Sequence, residues 1–71
     1  MKKRTLLTTE FLEGHTIELW KEEDLETGEN RLEATHRDGT LVLWTRSSPS
    51  DNPIKLLRTA VIGFFQELRR I

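Results

Sequence analysis

Histidine, serine and acidic side chains are the residues of this 71-residue chain that could carry out chemistry. The two histidines are His15 and His36, and the serines are Ser47, Ser48 and Ser50. General acid–base or nucleophilic catalysis needs several such groups held within hydrogen-bond reach of one another. His36 lies beside a predicted hairpin turn, whereas the serines follow the far end of the same hairpin. The sequence therefore predicts no catalytic residues, and we expect a protein that is not an enzyme.

Metal and cofactor sites are not predicted either. The chain has no cysteine, which excludes thiolate ligands and disulfides. The acidic residues from Glu22 to Glu29 lack the ordered ligand spacing of a calcium loop. Adjacent Glu22 and Glu23 would point to opposite faces of a strand. We interpret this stretch as a solvated acidic turn.

Charge and hydropathy place limits on partners and location. Acidic residues concentrate between positions 10 and 33, and basic residues lie at both ends of the chain. No apolar run approaches the ~20 residues that cross a bilayer, so no membrane partner is expected. The basic residues Lys2–Arg4 are not followed by the apolar segment of a secretion signal. Together with the missing cysteines, this favours a cytoplasmic location.

The clearest structural signal is Asp38-Gly39, which predicts a two-residue type I′ turn between two strands. Pairing across that turn places Ala34 opposite Leu43 and Thr35 opposite Val42. Because side chains alternate along a strand, one face of the hairpin is apolar. Its predicted members are Leu32, Ala34, Leu41 and Leu43. The other face is predicted to hold Arg31, Glu33, Thr35, Arg37, Val42, Trp44 and Arg46.

The segments upstream of this hairpin complete a sheet. Thr16–Glu23 alternates in the same way, with Ile17 and Leu19 on the apolar side and Trp20 on the other. The segment of residues 1–15 has two interpretations. Its threonines favour an edge strand over Thr5–Leu12, joined to the next strand at Glu13-Gly14-His15. The alternative is a short helical turn that Thr9 caps and Gly14 ends.

A helix is predicted over residues 53–70, after a polar loop at 47–52. Asn52 should cap it and Pro53 suits its first position. Its apolar residues fall in one arc on a helical wheel, namely Ile54, Leu57, Ala60, Val61, Phe64, Phe65, Leu68 and Ile71. The fold class is therefore α+β in a single domain, 1–71. A three- or four-stranded antiparallel β-meander over 16–46, with or without the N-terminal strand, precedes a C-terminal helix packed on one sheet face.

Two surfaces are candidate binding sites. The sheet face away from the helix forms a predicted interaction face of Trp20, Arg31, Thr35, Val42, Trp44 and Arg46. Exposed tryptophans on a flat sheet need a cover. The cover could be the N-terminal segment with Leu7 and Phe11, a second copy of the chain, or a different partner. The second surface is a predicted basic helix stripe of Lys55, Arg58, Ile62, Arg69 and Arg70.

These surfaces suggest two functions. The first is a small non-enzymatic protein-interaction or regulatory module that self-associates as a homodimer or binds another protein. The second is a single-stranded nucleic-acid binder, since aromatic residues on a sheet stack bases and arginines hold phosphates. The predicted meander and helix resemble the topology of the positive-cofactor and Whirly single-stranded-DNA-binding domains, with no shared motif. Glu18, Glu22 and Glu33 on the same face would repel phosphate and favour the first function.

Overall fold

The computed structural model describes residues 1–47 and 52–70 of the chain. Four strands form one antiparallel sheet in the order β1-β2-β3-β4, and one helix follows. The elements are β1 (Lys2–Leu12), β2 (His15–Asp24), β3 (Asn30–His36), β4 (Leu41–Arg46) and α1 (Pro53–Arg69). The predicted meander and helix are confirmed. Ser48, Pro49, Ser50 and Asp51 of the predicted loop, and Ile71 of the predicted arc, lie outside the described residues.

The N-terminal segment is the first strand of the sheet, so the alternative of a helical turn is wrong. β1 and β2 are joined by a two-residue turn at Glu13-Gly14, with Leu12 opposite His15. Both turn residues have positive φ, 50° for Glu13 and 83° for Gly14. Positive φ at both central positions is the signature of a type I′ turn, whose twist matches that of the flanking strands.

The Asp38-Gly39 turn forms a hairpin, but the predicted two-residue loop is wrong. The Gly39 N–H donates to the His36 carbonyl at 3.0 Å, and the His36 N–H donates to the Thr40 carbonyl at 2.9 Å. Gly39 has a φ of 90°, whereas Asp38 does not have positive φ. This is a three-residue loop, in which a type I turn is followed by a left-handed glycine. The Asp38 carboxylate stabilises it by accepting from the Thr40 N–H at 2.9 Å.

The longer loop shifts the register at the start of β4. Thr35 lies opposite Leu41, whereas Ala34 lies opposite Leu43, so Val42 is the extra residue of a β-bulge. Val42 consequently packs against the core, and Leu41 is 48% exposed on the other face. The predicted positions of these two side chains are therefore wrong. Beyond the bulge the predicted pairing, with Ala34 opposite Leu43, is confirmed.

The core lies between one sheet face and the helix. Its buried apolar members are Leu12, Ile17, Leu19, Leu32, Ala34, Leu57, Val61 and Phe65. The helical members recur every four residues, which places them on one side of α1. Asn52 caps the helix as predicted, because its side-chain oxygen accepts from the Lys55 N–H at 3.2 Å. Among the described residues, no helix has the length and apolarity needed to span a membrane.

The helix is rolled relative to the predicted apolar arc. Phe64 belongs to that arc, yet it is 40% exposed, whereas Leu68, which is 50% exposed, lies in the last turn of α1. Ile62, predicted on the basic stripe, is instead partly buried and packs against the core. The face of α1 that contacts the sheet is thus turned away from Phe64 and toward Ile62.

Replacing Gly63 with alanine is expected to stabilise the fold by about 0.5–1 kcal/mol. Gly63 lies inside α1 without positive φ, and a Cβ atom there would meet nothing within 4 Å. Alanine would lower the entropy of the unfolded chain without creating a clash. Urea unfolding followed by circular dichroism measures the change, with Gly14→Ala as the control. Gly14 has φ of 83°, so alanine should destabilise it. A destabilised Gly63→Ala variant would show that α1 is packed differently.

Candidate interaction face

The open face is the side of the sheet that α1 does not cover. Its apolar and aromatic side chains are Leu6, Phe11, Trp20, Leu41 and Trp44, around the hydroxyl of Thr35. Its charged side chains are Lys2, Arg4, Glu18, Glu22, Asp24, Arg31, Glu33 and Arg46. Of the predicted interaction face, five residues come together here. The exception is Val42, because the β4 bulge turns it into the core.

One row of side chains crosses all four strands of the open face. Leu6 pairs with Trp20, Trp20 pairs with Glu33, and Glu33 pairs with Trp44. Directly opposed side chains on an antiparallel sheet have Cβ atoms about 5 Å apart. The row therefore places Trp20 in the interior of the open face and Trp44 on its β4 edge, with the Glu33 carboxylate between them.

Trp20 is held in place by two contacts. Its indole Nε1–H donates to Thr35 Oγ1 at 3.1 Å. The Arg4 guanidinium carbon lies 4.1 Å from the centroid of its ring, within the range of a cation–π contact. Thr35 is itself 2% exposed, so the indole satisfies a buried hydroxyl. Trp20 is half-buried and forms part of the folded structure as well as part of the surface.

Trp44 is more open. The Arg31 guanidinium carbon lies 4.1 Å from its ring centroid, yet 47% of the residue is exposed. β4 is an edge strand, so Trp44 has a neighbouring strand on one side only. Trp44 and Phe11 are consequently the exposed aromatic side chains of the open face.

Glu33 joins the two arginine–tryptophan pairs. Its Oε1 lies 3.4 Å from Arg4 Nε, and its Oε2 lies 3.2 Å from Arg31 Nη2. The Glu33 side chain is only 12% exposed. Since one carboxylate serves both guanidinium groups, much of their positive charge is neutralised on the face itself.

The N-terminal segment does not cover the tryptophans. A bulge between Leu6 and Thr8 turns Leu7 into the core, where it is partly buried. Leu6 and Phe11 lie on the open face and are 44% and 75% exposed. The interpretation in which Leu7 and Phe11 fold back over the tryptophans is wrong. A second copy and a different partner are the two covers that remain.

Several residues of the open face were missed by sequence reasoning, namely Lys2, Arg4, Leu6, Phe11 and Leu41. The alternation of Lys2, Arg4 and Leu6 was a usable signal. It was lost because the bulge at Leu7 changes which residues share a face after that point.

A shallow cavity of about 170 Å³ lies beside Trp44, at the end of the face where Arg46 lies. Its lining mixes basic and acidic side chains, and includes Lys2, Glu22, Arg31 and Arg46. The Arg31 Nε–H is buried there, without a hydrogen-bond partner in the described part of the chain. Because both charges line the cavity, it has no clear preference for an anion or a cation.

The predicted basic helix stripe is largely engaged in contacts within the chain. Arg58 forms a bidentate pair with Glu10, with Nε–Oε1 and Nη2–Oε2 distances of 2.6 and 2.8 Å. Arg69 lies 3.6 Å from the Glu13 carboxylate. Both acidic partners belong to the β1–β2 hairpin, so these pairs link α1 to that hairpin. The last-turn Arg70 pairs with Glu67 at 3.3 Å, and Lys55 is exposed.

The Glu10–Arg58 pair should make stability depend on pH. The hydrogen bonds and charge of Arg58 lower the pKa of Glu10 below its ordinary value. A lowered folded-state pKa means that the pair stabilises the fold above the unfolded-state pKa, and that this contribution is lost as pH falls through the folded value. We expect the free energy of unfolding to decrease between about pH 5 and pH 3. Urea unfolding at each pH measures it.

Glu10→Gln is the control for this dependence, and its decrease should be smaller. Asp24 and Asp38 contribute in the same direction, since backbone N–H groups lower the pKa of both carboxyls. Some decrease should therefore persist in the variant. Equal slopes for the two proteins would show that the ion pair does not form in solution.

The two histidines come together on the helix-covered side. The His15 ring stacks on Phe65 at 4.2 Å, and its centroid lies 5.6 Å from that of His36. This pairing was not predicted, and it is an aromatic edge of the core. The described residues contain no group of three or more side chains that could hold a metal ion.

Comparison with protein-family models, with curated proteins and with solved structures found no match.

Proposed function

We propose that this chain is a small protein-interaction module that associates through its open face, with copies of itself as a partner. The observation that carries the proposal is Trp44, which is 47% exposed on the edge strand β4 of a partly apolar sheet face. Tryptophan, other aromatic residues and arginine are the residues enriched at the centres of protein interfaces. The proposed module is not an enzyme and acts in the cytoplasm, consistent with a chain that has no cysteine.

The arrangement of the open face supports a protein partner over nucleic acid. Arg4 and Arg31 already lie against the two indole rings, where bases would stack. Both arginines also share the carboxylate of Glu33, which reduces their attraction for phosphate. The exposed Leu6 and Phe11 on the same face gain most from contact with another apolar protein surface.

Sedimentation velocity from low to several hundred micromolar concentration tests the proposal. The wild-type sedimentation coefficient should rise with concentration, and Trp44→Ser should abolish the rise. Leu56→Ser is the matched control, because Leu56 is 38% exposed on the helix. That variant should associate like the wild type. A wild-type protein that stays monomeric throughout, or a Trp44→Ser variant that associates normally, would contradict the proposal.

A single-stranded oligonucleotide titration at low salt provides the second arm. Tryptophan fluorescence should not change, because the indole faces are already in contact with arginine. A shift that disappears on adding salt would favour the nucleic-acid function instead.

A further inference from the structure

The two edges of the sheet differ in how they are protected. β1 begins with Lys2, Lys3 and Arg4 and is interrupted by the bulge at Leu7. Charges and bulges on an edge strand prevent pairing with other chains. β4 carries one charged residue, Arg46 at its end, and no proline. Its bulge lies at Val42, so Leu43–Arg46 is a regular strand that pairs with β3 on one side and with no described strand on the other.

The hydrogen-bond pattern shows which backbone groups of β4 face outward. The Ser47 N–H donates to the Asn30 carbonyl at 3.1 Å, so Ser47 points toward β3. Successive residues of a strand direct their backbone groups to opposite sides. Thr45 therefore also points toward β3, whereas Trp44 and Arg46 direct their N–H and carbonyl groups away from the sheet.

We propose that the partner is a second copy of this chain, joined by antiparallel pairing of the two β4 strands with Trp44 at the two-fold axis, so that the open faces of the two copies lie side by side in one continuous sheet. This inference rests on the proposed function and specifies its interface. Residues that face outward in both copies exchange two N–H···O bonds when they lie opposite each other. The pairing is isologous, since the same residues are used on both sides.

The side chains are compatible with this pairing. Trp44 of one copy meets Trp44 of the other on the open face, an aromatic cross-strand pair that stabilises antiparallel strands. Antiparallel pairing places the two Arg46 residues at opposite ends of the seam, with Arg46 across from Val42. The two Arg46 side chains, one from each copy, are thus kept apart. A parallel arrangement would place the two like charges side by side.

The contact area predicts a weak dimer. Pairing centred on Trp44 joins residues 42–46 of the two strands, a seam about 16 Å long. The exposed portion of Trp44 adds roughly 100 Å² per copy, on the usual area of a buried aromatic residue. The total buried area is therefore at or below about 1,200 Å², the low end for stable interfaces. We expect association only at micromolar concentration or above.

Amide hydrogen exchange of the wild-type protein at two concentrations tests the seam directly. At high concentration the amides of Trp44 and Arg46 should exchange at least about tenfold more slowly, because both become hydrogen-bonded to the second copy. The Thr45 amide, which already points toward β3, is the internal control and should not change. The amides of Lys3 and Arg4, on the protected edge, should also remain the same.

A pair of variants provides an independent arm. Arg46→Pro removes an outward-facing N–H group, and prolines block edge pairing. Arg46→Ala removes the charge and keeps the N–H group. Dimerisation should weaken at least tenfold in Arg46→Pro and stay within about twofold of the wild type in Arg46→Ala. Circular dichroism of each variant shows whether the fold is retained, and the exchange measurement does not depend on either variant.

The outcomes separate this inference from the proposed function. If the protein associates through Trp44 while the Trp44 and Arg46 amides exchange at the same rate at both concentrations, the β4 seam is wrong and the proposed function stands. If slowed exchange appears at Lys3 and Arg4 instead, the interface is the β1 edge and the inference is overturned. If an extended peptide protects the β4 amides and copies of the chain do not, the partner is a different protein.

Discussion

Replacing Leu57 with alanine is expected to lower the free energy of unfolding by about 2–4 kcal/mol, the usual cost of a large-to-small change in a core. Leu57 is fully buried between α1 and the sheet. A domain of this size has a net stability of only about 3–5 kcal/mol, so the variant should be largely unfolded at 37 °C. Thermal and urea unfolding monitored by circular dichroism measure the loss.

Leu56→Ala is the matched control for this prediction. The two leucines are neighbours in sequence and have the same helix propensity, but Leu56 is 38% exposed. Its replacement should cost less than about 1 kcal/mol. Similar losses for the two variants would mean that the helix does not contact the sheet through Leu57, Val61 and Phe65.

Replacing Trp20 with alanine is expected to cost about 2–3 kcal/mol, more than the same change at Trp44. Trp20 donates to Thr35 Oγ1, and the variant would leave that hydroxyl without its donor in a residue that is 2% exposed. The contact with Arg4 would also be lost. Trp44→Ala should cost about 1 kcal/mol, because nearly half of that residue is already in water.

The comparison of the two variants is made by urea unfolding at low protein concentration, where association does not add stability. The expected order separates a tryptophan that supports the fold from one that is available for binding. If Trp44→Ala is the more destabilising change, Trp44 is packed within the monomer and the open face lacks its exposed centre.

The architecture could be predicted from local signals. Alternation over Thr16–Glu23 and the turn at Asp38-Gly39 predict strands, while Asn52 and Pro53 mark where the helix begins. Each signal depends on residues close together in sequence, such as a cap oxygen that reaches the first free amides of a helix. Such local preferences survive in the tertiary structure, and all of these elements are present.

The two bulges could not be predicted from the same signals. A bulge adds one residue to a strand and exchanges the faces of the residues around it. At Leu7 and Val42 the extra residue is an apolar side chain that becomes partly buried against the core. The gain therefore depends on the position of the helix, which is a long-range contact. The three-residue loop at Arg37–Gly39 is linked to the second bulge, because it changes the register that the bulge then restores.

In the candidate site, too, some features follow from local signals and others depend on long-range contacts. Trp20, Thr35 and Trp44 lie on one face as predicted, because their positions follow from the register beyond the bulge. The side chains that contact these residues could not be predicted in this way, since Arg4 reaches Trp20 only through the pairing of β1 with β2. The availability of the basic helix stripe for binding was overestimated for a related reason. Its arginines are satisfied by Glu10 and Glu13, which are distant in sequence.

Acrylamide quenching of the Trp20→Phe variant tests the central claim most directly, because Trp44 is then the only tryptophan. Circular dichroism first establishes that this variant, which loses the hydrogen bond to Thr35, keeps the fold. At the lowest measurable concentration the emission should be readily quenched, as expected for a residue that is 47% exposed. At several hundred micromolar the quenching should decrease, since a partner copy would cover the indole. If the emission is equally shielded at both concentrations, Trp44 is covered within the monomer and the open face is not a binding surface.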